Sequence, residues 1–271
     1  MLAVLDSTAL LELAAERTGT PPEEPVVGPV RVGVDLGTAT TVLVVLDRDG
    51  RPVWVDSHPS GALRDGVVVD FAGAVASVGG LRQRAEQVLG VQLLDAATAF
   101  PPQIPVADAR ACRFVCEAAG FGEVALVDEV SAAQRTLDVL DGVVVDVGGG
   151  STGVGVFRDG GLVALDDRPG GGHHLDLVLA GALGVPVDVA ERYKRQHPRE
   201  ALPVVVPVLQ RIAESVRLMT PDAADLPLHL AGGALMLPGA GDVVAAWLGR
   251  PVVTHPHALL ITPLGIARSA P

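Results

Sequence analysis

The sequence predicts an α/β protein built of two similar lobes, and three observations carry that expectation. A glycine-rich turn joins two β-branched runs in Val143–Phe157, VVVDVGGGSTGVGVF. The same arrangement occurs earlier, in Val34–Val45, VDLGTATTVLVV. Around both copies, short Val-rich runs alternate with stretches of helical periodicity, the pattern of an α/β architecture.

The turn itself has a chemistry. Gly148, Gly149 and Gly150 let backbone N–H groups approach an anion closely, and Ser151 and Thr152 add hydroxyl donors. Asp146 ends the strand, where a carboxylate can face a hydrated cation. One such turn is equally consistent with a hairpin that binds nothing. The second copy changes the balance: Asp35 matches Asp146, Gly37 matches Gly148, and Thr40-Thr41 match Ser151-Thr152 at a single offset. Each copy then runs through a hydrophobic strand into an Asp-Gly turn, Asp49-Gly50 and Asp159-Gly160. Internal duplication of this kind predicts two lobes gripping one polyphosphate from opposite sides.

In chain order, Leu2, Leu5, Ala9, Leu10, Leu13 and Ala14 recur at helical spacing, predicting a short amphipathic helix before Arg17. Thr18–Pro29, TGTPPEEPVVGP, predicts an extended linker reaching roughly 35 Å as polyproline II. Residues 1–29 then read either as a frayed terminus or as a docking peptide on a tether. Strands follow at Val30–Val34, Thr41–Asp47 and Arg51–Asp56, with a turn and strand in Leu63–Phe71, LRDGVVVDF. Helical stretches at Ala74–Leu89, Val106–Ala119 and Ser131–Leu140 alternate with strands at Asp95–Phe100 and Val124–Val127. Past the second turn, a glycine-rich loop, Pro169–His174, opens a helix at Leu175–Leu183. Further helices are expected at Asp188–Gln196, Val204–Met219, Gly241–Leu248 and Thr262–Arg268, with strands at Leu228–Ala231 and Pro251–Thr254. The lobes are expected to span residues 30–140 with 255–271, and 141–254.

Composition sets the limits. Nearly half of the 271 residues are apolar, enough for a large core. The net charge of −12 opposes nucleic acid or an anionic membrane as partner. No apolar run predicts a membrane span and no signal-peptide pattern opens the sequence, so a cytoplasmic protein is expected. Cys112 and Cys116 read as buried thiols. His173-His174 at a glycine-rich helix start read as packing rather than as metal ligands, and the basic cluster around Arg192 and Arg199 as a solvated face.

The order of motifs resembles the actin-like ATPases, whose two lobes are ribonuclease-H-like. Ala97–Leu140, with FPP, a helix, LVDE and VSAAQRTL, resembles the DnaK-type chaperones; DLGTATT and LRDGVVVDF resemble MreB. From Val30 to Ala267 the chain is most similar to the ethanolamine-utilization EutJ family, short chaperone-like proteins associated with bacterial microcompartments. The resemblance implies ATP and Mg²⁺ as ligands, Asp35 and Asp146 holding the metal through water. It implies phosphate donors at Gly37, Thr38, Ala39 and Thr40, and in the Gly148–Thr152 turn at Gly149, Gly150 and Ser151. Glu129 would orient the attacking water; read from the residues alone, it is a helix N-terminal acid complementing the dipole. Glu191 and Lys194 resemble an adenosine-contacting segment, though charges three apart also fit a solvated face. Gly232, Gly233 and Ala234 match the turn beneath an adenine. Implied partners are ethanolamine-utilization enzymes or microcompartment proteins. An actin-like filament and a small-molecule kinase are the rival readings. The chaperone pattern has a lysine in its first lobe, whereas here Lys194 is the only lysine; Arg64 replaces it loosely, and Val130 stands where the family has proline. Slow hydrolysis is therefore expected.

Overall fold

In the computed structural model, residues 5–64, 67–102, 104 and 106–271 are described, the side chains of 106–108 excepted. The chain divides into two compact units, Met1–Asp138 with Leu259–Pro271, and Val139–Ala258.

The first unit opens with α1 (Ser7–Glu16), capped by the Asp6 carboxylate, which accepts from the Ala9 amide at 2.8 Å. Three strands follow as an antiparallel meander, β1 (Arg31–Leu36), β2 (Thr40–Leu46) and β3 (Pro52–Pro59). A small ribbon, β4 (Leu63–Arg64) and β5 (Val67–Val68), leads to α2 (Phe71–Leu89). Next come β6 (Ala96–Phe100), α3 (Val106–Ala118), β7 (Val124–Asp128) and α4 (Glu129–Leu137). The sheet order is β3-β2-β1-β6-β7, with β6 and β7 parallel to β1.

The second unit repeats the plan. An antiparallel meander, β8 (Gly142–Val147), β9 (Ser151–Arg158) and β10 (Gly161–Pro169), leads into α5 (Gly172–Leu183), α6 (Val187–Gln196) and α7 (Pro198–Met219). Then come β11 (Leu228–Ala231), α8 (Ala240–Leu248) and β12 (Val252–Val253). Sheet order is β10-β9-β8-β11-β12, the same sequence of antiparallel then parallel neighbours. Even the register matches. Asp35 pairs with Val42 and Asp146 with Gly153, each one step from its turn, which is closed by Gly37 N–H to Thr40 O and by Gly148 N–H to Ser151 O, both 3.1 Å.

The chain returns to the first unit through α9 (Ile261–Ala267), buried at every residue and packed on α4 and β1. The fit there is tight: a Cβ on Gly265 would fall 1.7 Å from the Ala132 carbonyl oxygen.

Three elements differ from expectation. The N-terminal helix begins at Ser7, and Leu2 lies outside the described residues. It is not a free tether: Leu10, Leu11 and Ala14 are buried and the helix packs on β3, while Val55 bonds to Arg17 and Gly19. Residues Asp65 and Gly66 of the LRDGVVVDF stretch are likewise outside the described residues. Helix α7 begins at Pro198, not Val204, and runs through Pro203 and Pro207. Proline suits its first position, and the buried stripe Val205, Leu209, Ile212 and Val216 outweighs the interior breaks. The sequence pattern missed β10 altogether.

Candidate nucleotide site

The second unit's turn is built with its carbonyls turned inward. Gly148 O accepts from Gly172 N–H at 2.9 Å, Gly149 O from His173 N–H at 2.9 Å and Gly150 O from Gly170 N–H at 2.8 Å. In a trans peptide the C=O and the following N–H point opposite ways. Fixing these three carbonyls on the 170–173 segment therefore turns the amides of Gly149, Gly150 and Ser151 outward together, as an anion-binding concavity requires. The fit leaves no room for a side chain: a Cβ on Gly171 would lie 2.4 Å from Gly148 O.

Asp146 is 7% exposed at the end of β8. The neighbouring turn closes on it: Gly232, at φ +84°, has no space for a Cβ, which would meet Val147 O at 2.3 Å and Asp146 Oδ1 at 2.4 Å. Ala234 packs against Gly172, so the Gly232–Ala234 turn, Asp146 and the Gly148–Ser151 turn form one contiguous group within this unit. The donor set fits a phosphate chain, and a carboxylate at its edge fits a hydrated Mg²⁺.

Three expected residues are otherwise engaged. The Thr152 side chain is buried and its hydroxyl donates to Gly170 O at 2.6 Å, on the strap. Lys194 Nζ donates to Asp176 Oδ1 at 2.5 Å in a largely buried pair, where burial pushes the Asp176 carboxyl up against the pull of Lys194. Glu191 pairs with Arg195 on an exposed helix face, at 2.5 Å.

Asp167 is the residue that motif reading missed. Gly153 pairs with Asp146 on one side and with Asp167 on the other. Directly opposed residues share a face, so Asp146 and Asp167 lie on one face of the sheet, two strands apart across Gly153. Burial pushes Asp167 up to about 6, a hydrogen bond with Ser151 pulls it down, and Asp166 and Asp146 add repulsion. The signal available was the Asp166-Asp167 pair.

In the first unit, Asp35 near the end of β1 and Glu129 at the start of α4 occupy the carboxyl ends of parallel strands, the usual ligand edge of an open sheet. Both carboxylates lie close enough to Cys112 to raise its thiol, which burial chiefly pushes up to about 12. The Asp128 carboxylate caps α4 by accepting from the Ser131 amide at 2.7 Å, which sets the direction in which Glu129 leaves the helix. Gly37, Thr38 and Thr40 are partly buried in the matching turn and Ala39 is exposed.

Among the described residues, no single helix is long and apolar enough to cross a membrane. A family model described as MreB/Mbl protein matches residues 58–183. A crystal structure of MreB5 of Spiroplasma citri bound to ADP superposes with a TM-score of 0.72 at 15% identity, covering 90% of this chain and 95% of that one. At that identity the likeness concerns fold, the actin-like ATPase fold. Ethanolamine utilization protein EutJ of Escherichia coli K12 is 39% identical over 242 residues, 89% of this chain and 86% of the relative. The crystal structure of EutJ from Carboxydothermus hydrogenoformans matches with a TM-score of 0.92 and 41% identity, over 96% of this chain and 97% of that one. With two topologically identical sheets, matched acid-tipped turns and this similarity along nearly its whole length, the chain belongs to the EutJ family.

Proposed function

We propose that the chain is an ATP- and Mg²⁺-binding, chaperone-like accessory protein of ethanolamine utilization, with slow or absent hydrolysis. The observation that carries the nucleotide reading is the strap at residues 170–173. It satisfies the three carbonyls of the Gly148–Gly150 turn and leaves their partner amides for an anion. The family supports the metabolic role, with the pathway's enzymes or microcompartment proteins as partners, and MreB5 on the same fold was solved with ADP.

In this reading each turn is a phosphate-donor set of its own unit. Gly149, Gly150 and Ser151 donate from one; Gly37, Thr38, Ala39 and Thr40 donate from the other. Charge-assisted bonds of this kind are worth about 1.5–3 kcal/mol each. Asp35 and Asp146, each at the edge of its own turn, would hold Mg²⁺ through its hydrating waters, and the ion would supply charge neutralisation of the phosphates. The Gly232–Ala234 turn carries the base. Glu129 accepts a hydrogen bond from the attacking water. The first unit has no lysine to speed the transfer, since Lys194 belongs to the second and is held by Asp176, and Arg64 replaces it only loosely. Calorimetric titration tests the reading. ATP is expected to bind with Mg²⁺ and to lose at least tenfold in affinity in Asp146→Asn. Single-turnover phosphate release should be slow and should fall further in Glu129→Gln. Absence of heat at millimolar Mg-ATP, or affinity untouched by Asp146→Asn, overturns it.

A further inference from the structure

Helices α5 and α7 enclose a second site on the flank of the second unit. His174, Leu177 and Val178, at i, i+3 and i+4 of α5, face Val208, Arg211 and Ile212 of α7 across a cavity of about 440 Å³. That volume falls within the roughly 300–1,000 Å³ of small-molecule pockets. The wall is apolar, and its rim exposes Leu177 and Val178 to solvent at 45% and 41%.

Polar side chains interrupt this apolar surface at Arg211, His174, Ser215 and Thr152, the last with its hydroxyl bonded to Gly170 O. Among the described residues no carboxylate lies within ion-pairing distance of Arg211, although the chain carries 32 acidic residues against 20 basic ones. Nδ1 of His174 is buried and has no hydrogen-bond partner. His174 also lies in the first turn of α5, where the helix dipole favours negative charge. The cavity thus offers a hydrocarbon wall and, at Arg211, one cation with no ion-pair partner among the described residues.

We propose that this cavity binds a small monocarboxylate with an aliphatic body, its chain against Leu177, Val178, Val208 and Ile212 and its carboxylate on Arg211. The guanidinium pairs with both carboxylate oxygens. Neutral and cationic molecules with the same chain lack the match at Arg211.

Octanoate, 1-octanol and octylammonium, titrated into the nucleotide-free full chain and followed by calorimetry and ligand-observed NMR, test this. Octanoate should bind at least tenfold more tightly than either comparator. Arg211→Gln, at an exposed position, should remove that preference, and Val178→Trp, which fills the cavity, should abolish binding with the thermal transition retained. Equal affinity for the three probes overturns the proposal, as does octanoate binding unchanged in both variants. Because nucleotide is omitted, failure of ATP binding leaves this result standing, and the converse holds.

Discussion

Gly171→Ala isolates the strap that shapes the phosphate turn. The backbone at Gly171 is extended, with φ −166°, so alanine can adopt it without strain. The obstacle is space. The added methyl would lie 2.4 Å from Gly148 O and 3.0 Å from Gly149 C and O, all backbone atoms that cannot rotate away. The 170–173 segment and the turn must separate, weakening three hydrogen bonds of 2.8–2.9 Å. Overpacking of this kind costs about 1–3 kcal/mol. For nucleotide the loss is larger in ratio: misaiming two of the outward amides removes about 3 kcal/mol or more at about 1.5–3 kcal/mol each, roughly a hundredfold rise in Kd. Gly181→Ala is the control. It lies in the same helix α5, has nothing within 4 Å of the added methyl, and should stabilise by about 0.5–1 kcal/mol by removing a helical glycine. Calorimetry with Mg-ATP and thermal melts on the two variants give the comparison. Should Gly171→Ala bind ATP within threefold of the parent and melt at the same temperature, the strap does not set the turn.

Leu11→Ala removes a fully buried side chain from α1 and should cost about 2–5 kcal/mol in denaturant unfolding; a loss below about 1 kcal/mol would mean that α1 does not hold β3. His255 lies 3.3 Å from His229 between their ring nitrogens, and burial, then the charge of His229, lowers it from 6.5 to about 4. Its folded pKa is depressed, so between pH 6.5 and 4 the unfolded chain binds more protons and stability falls as pH falls, by at most about 1 kcal/mol per pH unit for this partly exposed ring. His255→Gln should flatten the difference between melting curves across that window, and an unchanged slope refutes the assignment. Cys112 and Cys116, both pushed to about 12 chiefly by burial, should resist iodoacetamide at pH 8 until guanidinium unfolds the chain; mass spectrometry of the native protein reads this directly.

Much of this was legible because it is periodic or repeated. The spacing of Asp35 and Asp146 from their glycines gave two hairpins whose registers coincide pair by pair, and Leu228–Ala231 was read to the residue. What escaped depended on tertiary position. Strand β10 is an edge strand, exposed along its first four residues, so GLVALDDRP shows no alternation to detect. With β10 invisible, so was the row that sets Asp167 on the same face as Asp146. The start of α7 was hidden by prolines that local propensity counts as breaks and a long buried stripe tolerates. The pairing of Lys194 with Asp176, 18 residues away, was also hidden, because only the charge of each is visible in the sequence. The docking of α1 on β3 likewise joins segments whose affinity only the folded surfaces reveal.

The return of α9 has a consequence in time. The first unit needs Ile261–Ala267 against Ala132 and Gly33, yet the ribosome makes those residues after the roughly 120 of the second unit. At roughly 5–20 residues per second, translation leaves the early half with an uncovered seam for several seconds or more, while Val139–Ala258, contiguous in sequence, is free to condense first. The older half of the nascent polypeptide is thus the later one to mature, and any stall before codon 261 would strand it with that seam open to wrong neighbours.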